Sequence, residues 1–244
     1  MRILALDSSG LVASVAVVED GAMDDQVIAE YTVNYKKTHS QTLLPMLDEI
    51  VKMTELDLGT VDAIAVAGGP GSFTGLRIGS ATAKGLGLAL KKPLIHIPTL
   101  EGLAYNLCGS TDIVCPIMDA RRGQVYTGIY EFDGNEIRVL EDQMAVKIEE
   151  LGEKLKPYLE AGRKVTFLGD GVPVHREKLT EEIFAGGKIG FAPANMNRQR
   201  AASVGTLGMQ YYKAGKIETA MEHEPDYLRV SQAERERKER LGHV

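Results

Sequence analysis

The chain has 244 residues, of which 44% are apolar and 25% are charged, so one large or two small globular domains are expected. Collagen, coiled coil and wholesale disorder are excluded by this composition. Lys and Arg number 28 against 34 Asp and Glu, which gives a formal net charge of −6. Proteins that bind nucleic acid without a partner are normally basic or carry a dense basic face. The negative net charge therefore argues against such a role.

The number of cysteines and the N-terminal sequence indicate the cellular compartment in which the protein is expected. Cys108 and Cys115 are too few for a disulfide framework or a four-ligand zinc site. The opening Met1–Asp7 reaches an aspartate after a short apolar run, whereas a secretory signal needs a longer one. A membrane span needs about 20 apolar residues in succession, and the sequence has no such run. We therefore expect a cytoplasmic protein that does not cross a membrane.

Short β patterns alternate with helical patterns along the first half of the chain. Apolar or β-branched runs predict strands at Ile3–Leu6, Val12–Val18, Val27–Val33, Ala63–Ala67 and Leu94–Ile97. Apolar residues near the 3.6-residue period predict helices at Ser40–Met53, Leu76–Leu90 and Leu100–Leu107. This alternation predicts a sheet that is partly parallel and covered by helices.

The order of these patterns then repeats. Ile3–Asp7 and Cys115–Asp119 are both apolar runs that end in an aspartate, and each is followed by a glycine-containing turn and a second strand. Further on, Val165–Leu168 leads into a glycine turn as Ala63–Ala67 does. Two matches in the same order favour a duplicated α/β unit, built from two lobes with mixed sheets flanked by helices.

The duplication sets the predicted domain limits. We predict an N-terminal lobe over residues 1–110 and a C-terminal lobe over residues 111–230, divided near the polar stretch Gly109–Asp112. Residues 231–244 are predicted to form a charged helical tail. Their charges alternate in sign, which suits a solvated helix with (i, i+4) ion pairs.

The most informative local feature is the glycine-rich loop Gly68–Gly75, between a predicted strand and a predicted helix. Such a loop presents N–H groups to an anion, but the spacing matches neither the dinucleotide-binding motif nor the P-loop. The helix that follows has small residues at Gly75, Gly79 and Ala83. This bare face suits either packing in the chain's own core or close docking of a partner helix, and the sequence leaves both open.

Asp7 and Asp119 end their strands at the edge where α/β sheets usually place ligands. Two such carboxylates could orient a metal bound to nucleotide phosphates, or each could simply cap its own turn. The candidate nucleotide-binding residues are Asp7, Ser8, Gly68 and Gly69. No histidine pair has the H-x-x-x-H spacing of a helical metal site, and no G-x-S-x-G motif occurs. No catalytic set is evident, and we expect no catalytic residue and no metal ligand.

One run of residues carries a family resemblance. The segment Gly69-Pro-Gly-Ser-Phe-Thr-Gly-Leu-Arg-Ile-Gly79 closely resembles the TsaB (YeaZ) family. So do the opening Leu4-Ala-Leu-Asp-Ser-Ser9 and the segment His39-Ser-Gln-Thr-Leu-Leu-Pro45, and a weaker resemblance continues through Asp119–Tyr126 and Pro225–Arg229. The resemblance implies the actin/Hsp70/sugar-kinase fold with two related lobes.

The resemblance also implies a role beside TsaD, the catalytic subunit that transfers threonylcarbamoyl to the adenosine next to the anticodon of certain tRNAs. TsaD-like chains carry an H-M-E-G-H type motif whose histidines hold a metal. The matching stretch here is Thr99-Leu100-Glu101-Gly102-Leu103, in which both imidazoles are replaced by poor ligands. A non-catalytic subunit that binds TsaD and works with the ATPase TsaE is therefore expected, and peptidase activity is discounted.

By resemblance, the helices Thr42–Met53 and Leu76–Leu90 form the surface that meets TsaD. The partner-binding residues are expected to be Leu43, Leu47, Ile50, Thr74, Gly75, Leu76, Gly79 and Ala83. The same surface would support a homodimer of the isolated chain, and tRNA would be held mainly by other subunits. The complex uses ATP, no cofactor is expected for this chain, and its own binding of nucleotide is left open.

A hypothesis from a different class is an autonomous ATP-dependent small-molecule kinase of the same superfamily. Asp7, Asp119 and the Gly169-Asp170-Gly171 turn motivate it. Phosphoryl transfer needs a metal-nucleotide held in the cleft and a base placed on the acceptor. The turns could serve the first need, but the sequence offers no convincing base.

Overall fold

The computed structural model describes residues 1–21, 25–35 and 37–229. Its first sheet contains β1 (Arg2–Asp7), β2 (Ala13–Asp20), β3 (Asp25–Val33), β4 (Ala63–Gly69) and β5 (Leu94–Pro98). The order is β3-β2-β1-β4-β5, with β1, β4 and β5 parallel and β2 antiparallel to both of its neighbours. β1 and β4 are apolar nearly throughout because helices cover both faces of the sheet at its centre.

The second sheet repeats this topology. It contains β6 (Ile113–Asp119), β7 (Gln124–Asp133), β8 (Glu136–Lys147), β9 (Val165–Leu168) and β10 (Ile189–Phe191). Its order is β10-β9-β6-β7-β8. Each unit is therefore an antiparallel three-stranded meander, and two further strands, parallel to the first strand of the meander, continue the sheet on that strand's other side. The predicted duplication is confirmed.

Six α-helices form layers with the two sheets in the described part of the chain. They are α1 (His39–Thr54), α2 (Phe73–Leu90), α3 (Thr99–Ala104), α4 (Ile148–Glu160), α5 (Val172–Glu177) and α6 (Ala201–Lys213). α1 and α2 cover the outer face of the first sheet, and α4 and α5 cover the outer face of the second. α6 packs on the inner face of the first sheet and α3 on the inner face of the second, so the layers run helix, sheet, helix, sheet, helix. The predicted α/β fold is confirmed.

The predicted limit of the C-terminal lobe is wrong, because α6 returns to the first sheet. Glycines allow its close approach: a Cβ at Gly205 would lie 2.8 Å from Val18 Cγ2, and one at Gly208 would lie 3.0 Å from Ala65 Cβ. Residues 201–229 therefore belong to the N-terminal lobe. The predicted charged tail, 231–244, lies outside the described residues. Within the described ranges, no helix is both long enough and apolar enough to cross a membrane.

Candidate functional site

A cleft of about 650 Å³ lies between the lobes, at the carboxyl ends of the parallel strands. Residues of the first lobe that line it include Ser9 and Ser72, which follow β1 and β4. Asp119 and Asp170, which end β6 and follow β9, line it from the second lobe. The duplication therefore brings the equivalent turns of both units to one cavity, as expected for ligand sites in α/β sheets.

Asp7 lies at the end of β1 but is withdrawn from this cleft, with only 2% of its surface exposed. Its Oδ1 accepts hydrogen bonds from the backbone N–H of Ser9 at 2.9 Å and from the Ser9 hydroxyl at 2.6 Å. Burial raises the pKa of Asp7 to about 6, although the Ser9 hydrogen bonds and the charge of His39 oppose the rise. The carboxylate caps its own turn, one of the two roles predicted for it.

The other candidate nucleotide-binding residues are also engaged within the chain. The Ser8 hydroxyl donates to the Gly75 carbonyl oxygen at 2.9 Å, and Gly69 N–H donates to Thr99 Oγ1 at 3.0 Å. The Gly68 carbonyl oxygen accepts from Asp226 N–H at 2.7 Å. Gly69 has φ of +130°, and a Cβ there would lie 2.2 Å from the Asp226 carbonyl oxygen. This turn requires glycine because the chain's own C-terminal segment lies against it.

The start of α2 is covered in the same way. Ser72 N–H donates to the Ser9 carbonyl oxygen at 2.7 Å, and the Ser72 hydroxyl accepts from Gly75 N–H to cap the helix. The ring of Phe73 lies 4.9 Å from that of Tyr227 and has the Arg77 guanidinium 4.1 Å from its centre. The N–H groups of Gly69, Ser72 and Gly75 therefore bond within the chain rather than facing the cleft.

The corresponding turn of the second lobe is more open. Asp119 Oδ1 accepts from Arg121 N–H at 2.8 Å, and Asp119 N–H donates to Asp170 Oδ1 at 3.2 Å. Arg121 and Arg122 both have positive φ, 65° and 58°, so the turn is strained. Burial raises the pKa of Asp170, although the hydrogen bond from Asp119 N–H and the positive charge of Arg198 both act to lower it. Asp119 thus caps a turn while facing the cleft.

The predicted partner-binding residues lie mostly on the inner faces of α1 and α2. Of that set, Leu43, Leu47, Ile50, Gly75, Leu76, Gly79 and Ala83 are buried, and Thr74 alone is exposed. A Cβ at Gly75 would lie 2.0 Å from the Ser8 carbonyl oxygen, and one at Gly79 would lie 2.5 Å from Ser8 Oγ. The small residues therefore let α2 pack on its own lobe. Seven of the eight expected partner-binding residues thus pack within the chain's own lobe, and a role for this set in partner binding stays a prediction.

The opposite side of these helices faces solvent. This surface, which we call the outer α1–α2 face, consists of Leu44, Arg77, Ala81, Gly85 and Leu88. Leu44 is 53% exposed and Leu88 is 59% exposed. A Cβ at Gly85 would meet nothing within 4 Å, so this stretch of α2 is bare on its outer side. Another helix could approach the backbone closely here.

The stretch that corresponds to the H-M-E-G-H type motif is built into the fold. Thr99 is fully buried and bonds to Gly69, and Leu103 packs in the core between α3 and the second sheet. Glu101 accepts a hydrogen bond from the Tyr211 hydroxyl at 2.6 Å, and burial raises the pKa of Glu101. A hydroxyl already engaged and an apolar side chain do not fit a metal at these two positions.

The structure also assembles a histidine pair that sequence spacing did not reveal. His96 on β5 and His223 after α6 have ring centres 5.6 Å apart. They come together only because the chain returns to the first lobe after α6. No local motif could have indicated this.

The chain is similar to proteins named for tRNA threonylcarbamoyladenosine biosynthesis. The family described as TsaD, tRNA N6-adenosine threonylcarbamoyltransferase, matches residues 26–237. The tRNA threonylcarbamoyladenosine biosynthesis protein TsaB of Bacillus subtilis (strain 168) is 34% identical over 234 residues, 96% of each chain. The chain belongs to the TsaB family. The TsaB of Escherichia coli (strain K12) is 36% identical over 177 residues, 71% of each chain.

A solved structure extends the TsaB relationship to the fold. YeaZ from Pseudomonas aeruginosa has a TM-score of 0.77 and is 26% identical, over 93% of this chain and 99% of the other. The resemblance predicted from Gly69–Gly79 is thus confirmed, and it extends beyond the N-terminal half where the motifs are strongest.

Proposed function

We propose that this TsaB-family chain is a non-catalytic subunit required for threonylcarbamoyl modification of the adenosine next to the tRNA anticodon. It acts by binding a TsaD-like catalytic subunit. The names of its relatives place them in tRNA threonylcarbamoyladenosine biosynthesis. The chain also matches the family described as TsaD, so a TsaD-like partner would have lobes related to those of this chain.

The outer α1–α2 face is the observation that carries this proposal. It comprises the exposed leucines Leu44 on α1 and Leu88 on α2, the exposed Ala81, and Gly85, where a Cβ would meet nothing within 4 Å. Large apolar side chains beside small residues are what a closely packed helix pair buries. Arg77 at its margin adds a charged group, as is common at the rim of an interface. α1 and α2 are the helices that the resemblance indicates. The proposed interface, however, lies on their outer face and not on the buried residues expected from the sequence.

The non-catalytic part of the proposal rests on the region that matches the catalytic motif. Thr99 and Leu103 supply no imidazole, and both are committed to contacts within the chain. The same reasoning argues against an autonomous kinase. Ser8, Gly68 and Gly69 are bonded to neighbouring segments, and Asp7 caps a turn.

The remaining partners follow from this role. A TsaE-like ATPase would act on the complex, and the isolated chain would form homodimers through the outer α1–α2 face. A net charge of −6 supports the view that tRNA is held mainly by other subunits.

A pair of matched variants tests the proposed interface. Ala81 is exposed on α2, and Ala161 is exposed at the end of α4 in the other lobe. We expect Ala81→Arg to weaken binding to a TsaD-like subunit at least about tenfold, because the new side chain holds the partner helix away. Ala161→Arg makes the same chemical change on a distant surface and should leave binding unaltered.

The measurement is isothermal titration calorimetry with purified subunits, after far-UV circular dichroism has shown that both variants are folded. Sedimentation of each variant alone then tests whether the homodimer uses the same face. Unchanged binding by Ala81→Arg, or equal weakening by Ala161→Arg, would contradict the proposed interface.

A further inference from the structure

Two histidines and a glutamate form a cluster outside the cleft. His96 lies on β5, whereas Glu218 and His223 lie in the segment that follows α6. One potential ligand atom from each residue lies within 4.8 Å of the other two. These residues are separate from the Thr99–Leu103 stretch discussed above.

Backbone hydrogen bonds hold this cluster in place on both sides of His223. Leu94 N–H donates to the Glu218 carbonyl oxygen at 2.8 Å, and Glu218 N–H donates to the Leu94 carbonyl oxygen at 3.0 Å. Further along, Asp226 N–H donates to the Gly68 carbonyl oxygen at 2.7 Å. The side chains are thus presented by fixed backbone, as a preorganised binding site requires.

Ring nitrogens in the cluster are buried without hydrogen-bond partners. The His223 side chain is 0% exposed; its Nδ1 is 2.6 Å from Glu218 Oε1, and its Nε2 has no partner among the described residues. His96 Nε2 is also buried and lies 3.3 Å from Asp226 Oδ2 without the alignment of a hydrogen bond. Buried polar atoms are normally satisfied, and here both histidines belong to a group whose ligand atoms lie within 4.8 Å of one another, so one ion could satisfy both.

The charges around the cluster favour a cation. Glu218 and Asp226 carry negative charge beside the two imidazoles. Lys84 Nζ donates to the His223 carbonyl oxygen at 2.7 Å rather than to either carboxylate.

A cavity of about 280 Å³ leads to the cluster from the surface. His96 and Glu218 are among its lining residues, together with Tyr211 and Lys216. Lys216 Nζ lies 4.3 Å from the centre of the Tyr211 ring, in a cation–π contact with its face. The cavity provides an entry path for a hydrated ion and room for a water ligand.

We propose that His96, His223 and Glu218 bind a divalent transition-metal ion, with Zn²⁺ preferred. Two imidazole nitrogens and a carboxylate oxygen are a ligand set that Zn²⁺ takes in proteins, and Asp226 offers a further oxygen. The bound ion fastens the segment after α6 to β5, and so holds that segment against the glycine turn. The site does not depend on the proposed TsaD-binding role.

Zinc titration of the untagged, chelator-treated protein tests this proposal. We expect calorimetry with Zn²⁺ alone to show roughly one ion per chain with a submicromolar Kd, and Co²⁺ to give the visible absorption of a site with nitrogen and oxygen ligands. His96→Gln should weaken Zn²⁺ binding by at least about 100-fold. His175→Gln removes another buried histidine, in the second lobe, and should leave Zn²⁺ binding unchanged.

Thermal denaturation gives a second readout that requires no catalytic activity. Zn²⁺ should raise the Tm of the wild type and of His175→Gln, but not that of His96→Gln. Glu218→Gln keeps the size of the side chain and should also lose the Zn²⁺-dependent rise in Tm. This variant provides the test if His96→Gln folds poorly. A wild type that binds Zn²⁺ only at millimolar concentration, or a His96→Gln variant that keeps wild-type affinity, would overturn the proposal.

Discussion

Asp7→Asn tests the environment of the carboxylate for which the sequence allowed either a nucleotide site or a turn cap. The structure buries Asp7 with both of its described hydrogen bonds coming from Ser9. Asparagine keeps an oxygen that can accept from Ser9 and removes the charge. Because burial raises the pKa of Asp7 from 3.8 to about 6, ionised Asp7 destabilises the fold at neutral pH.

The size and sign of the effect follow from proton linkage. Between the unfolded and folded pKa values the native state binds more protons than the unfolded state, so the Asp7 contribution to stability rises as pH falls through this range. Lowering the pH from about 7.5 to about 4.5 should gain the wild type about 2 kcal/mol relative to Asp7→Asn. At about pH 7.5 the variant should therefore be the more stable protein, by up to about 3 kcal/mol.

Urea denaturation followed by far-UV circular dichroism measures this difference; the chain has no tryptophan for a fluorescence assay. The pKa values of His175 and His223 are lowered in the fold, so both histidines cost stability as the solution is acidified. Subtracting the Asp7→Asn curve from the wild-type curve cancels these contributions. A difference that does not vary with pH, or a variant that is less stable at about pH 7.5, would refute the raised pKa of Asp7.

Two further predictions concern packing around α2. Gly79→Leu should cost about 3 kcal/mol or more of unfolding free energy, because a Cβ there would lie 2.5 Å from Ser8 Oγ. Gly85→Leu places the same side chain in open space and should stabilise the chain by about 0.5–1 kcal/mol; equal effects in urea denaturation would show that the helix faces are misassigned. Tyr227→Ala removes the ring 4.9 Å from Phe73 and should speed amide hydrogen exchange at residues 223–229 without lowering global stability by more than about 1.5 kcal/mol. If exchange in the variant is as slow as in the wild type, the contact between Phe73 and Tyr227 does not hold residues 223–229 in place.

The duplicated fold was predictable because it follows from local patterns. Asp7 and Asp119 each end an apolar strand, and both sheets repeat one strand order. Strand runs of this kind are short and bounded by turn residues, so their positions were recovered closely. α6 was not predicted, and without it the second lobe was extended to residue 230.

The helix faces could not be predicted from spacing alone. Small residues at Gly75, Gly79 and Ala83 suit a partner helix or the chain's own segments equally well. Only the position of Ser8 beside α2 decides between them, and this contact joins residues far apart in the sequence. The His96–His223 pair is another such long-range contact, since it depends on the return of the chain after α6.

Reconstitution of the modification reaction shows whether this chain is required for threonylcarbamoyl transfer. Threonylcarbamoyladenosine formed on tRNA would be measured with TsaD-like and TsaE-like subunits, with and without this chain, and with Ala81→Arg in its place. We expect product only when the wild-type chain is present, a marked loss with Ala81→Arg, and no product from the chain by itself. Full product formation without this chain, or product from the chain by itself, would contradict the proposed role.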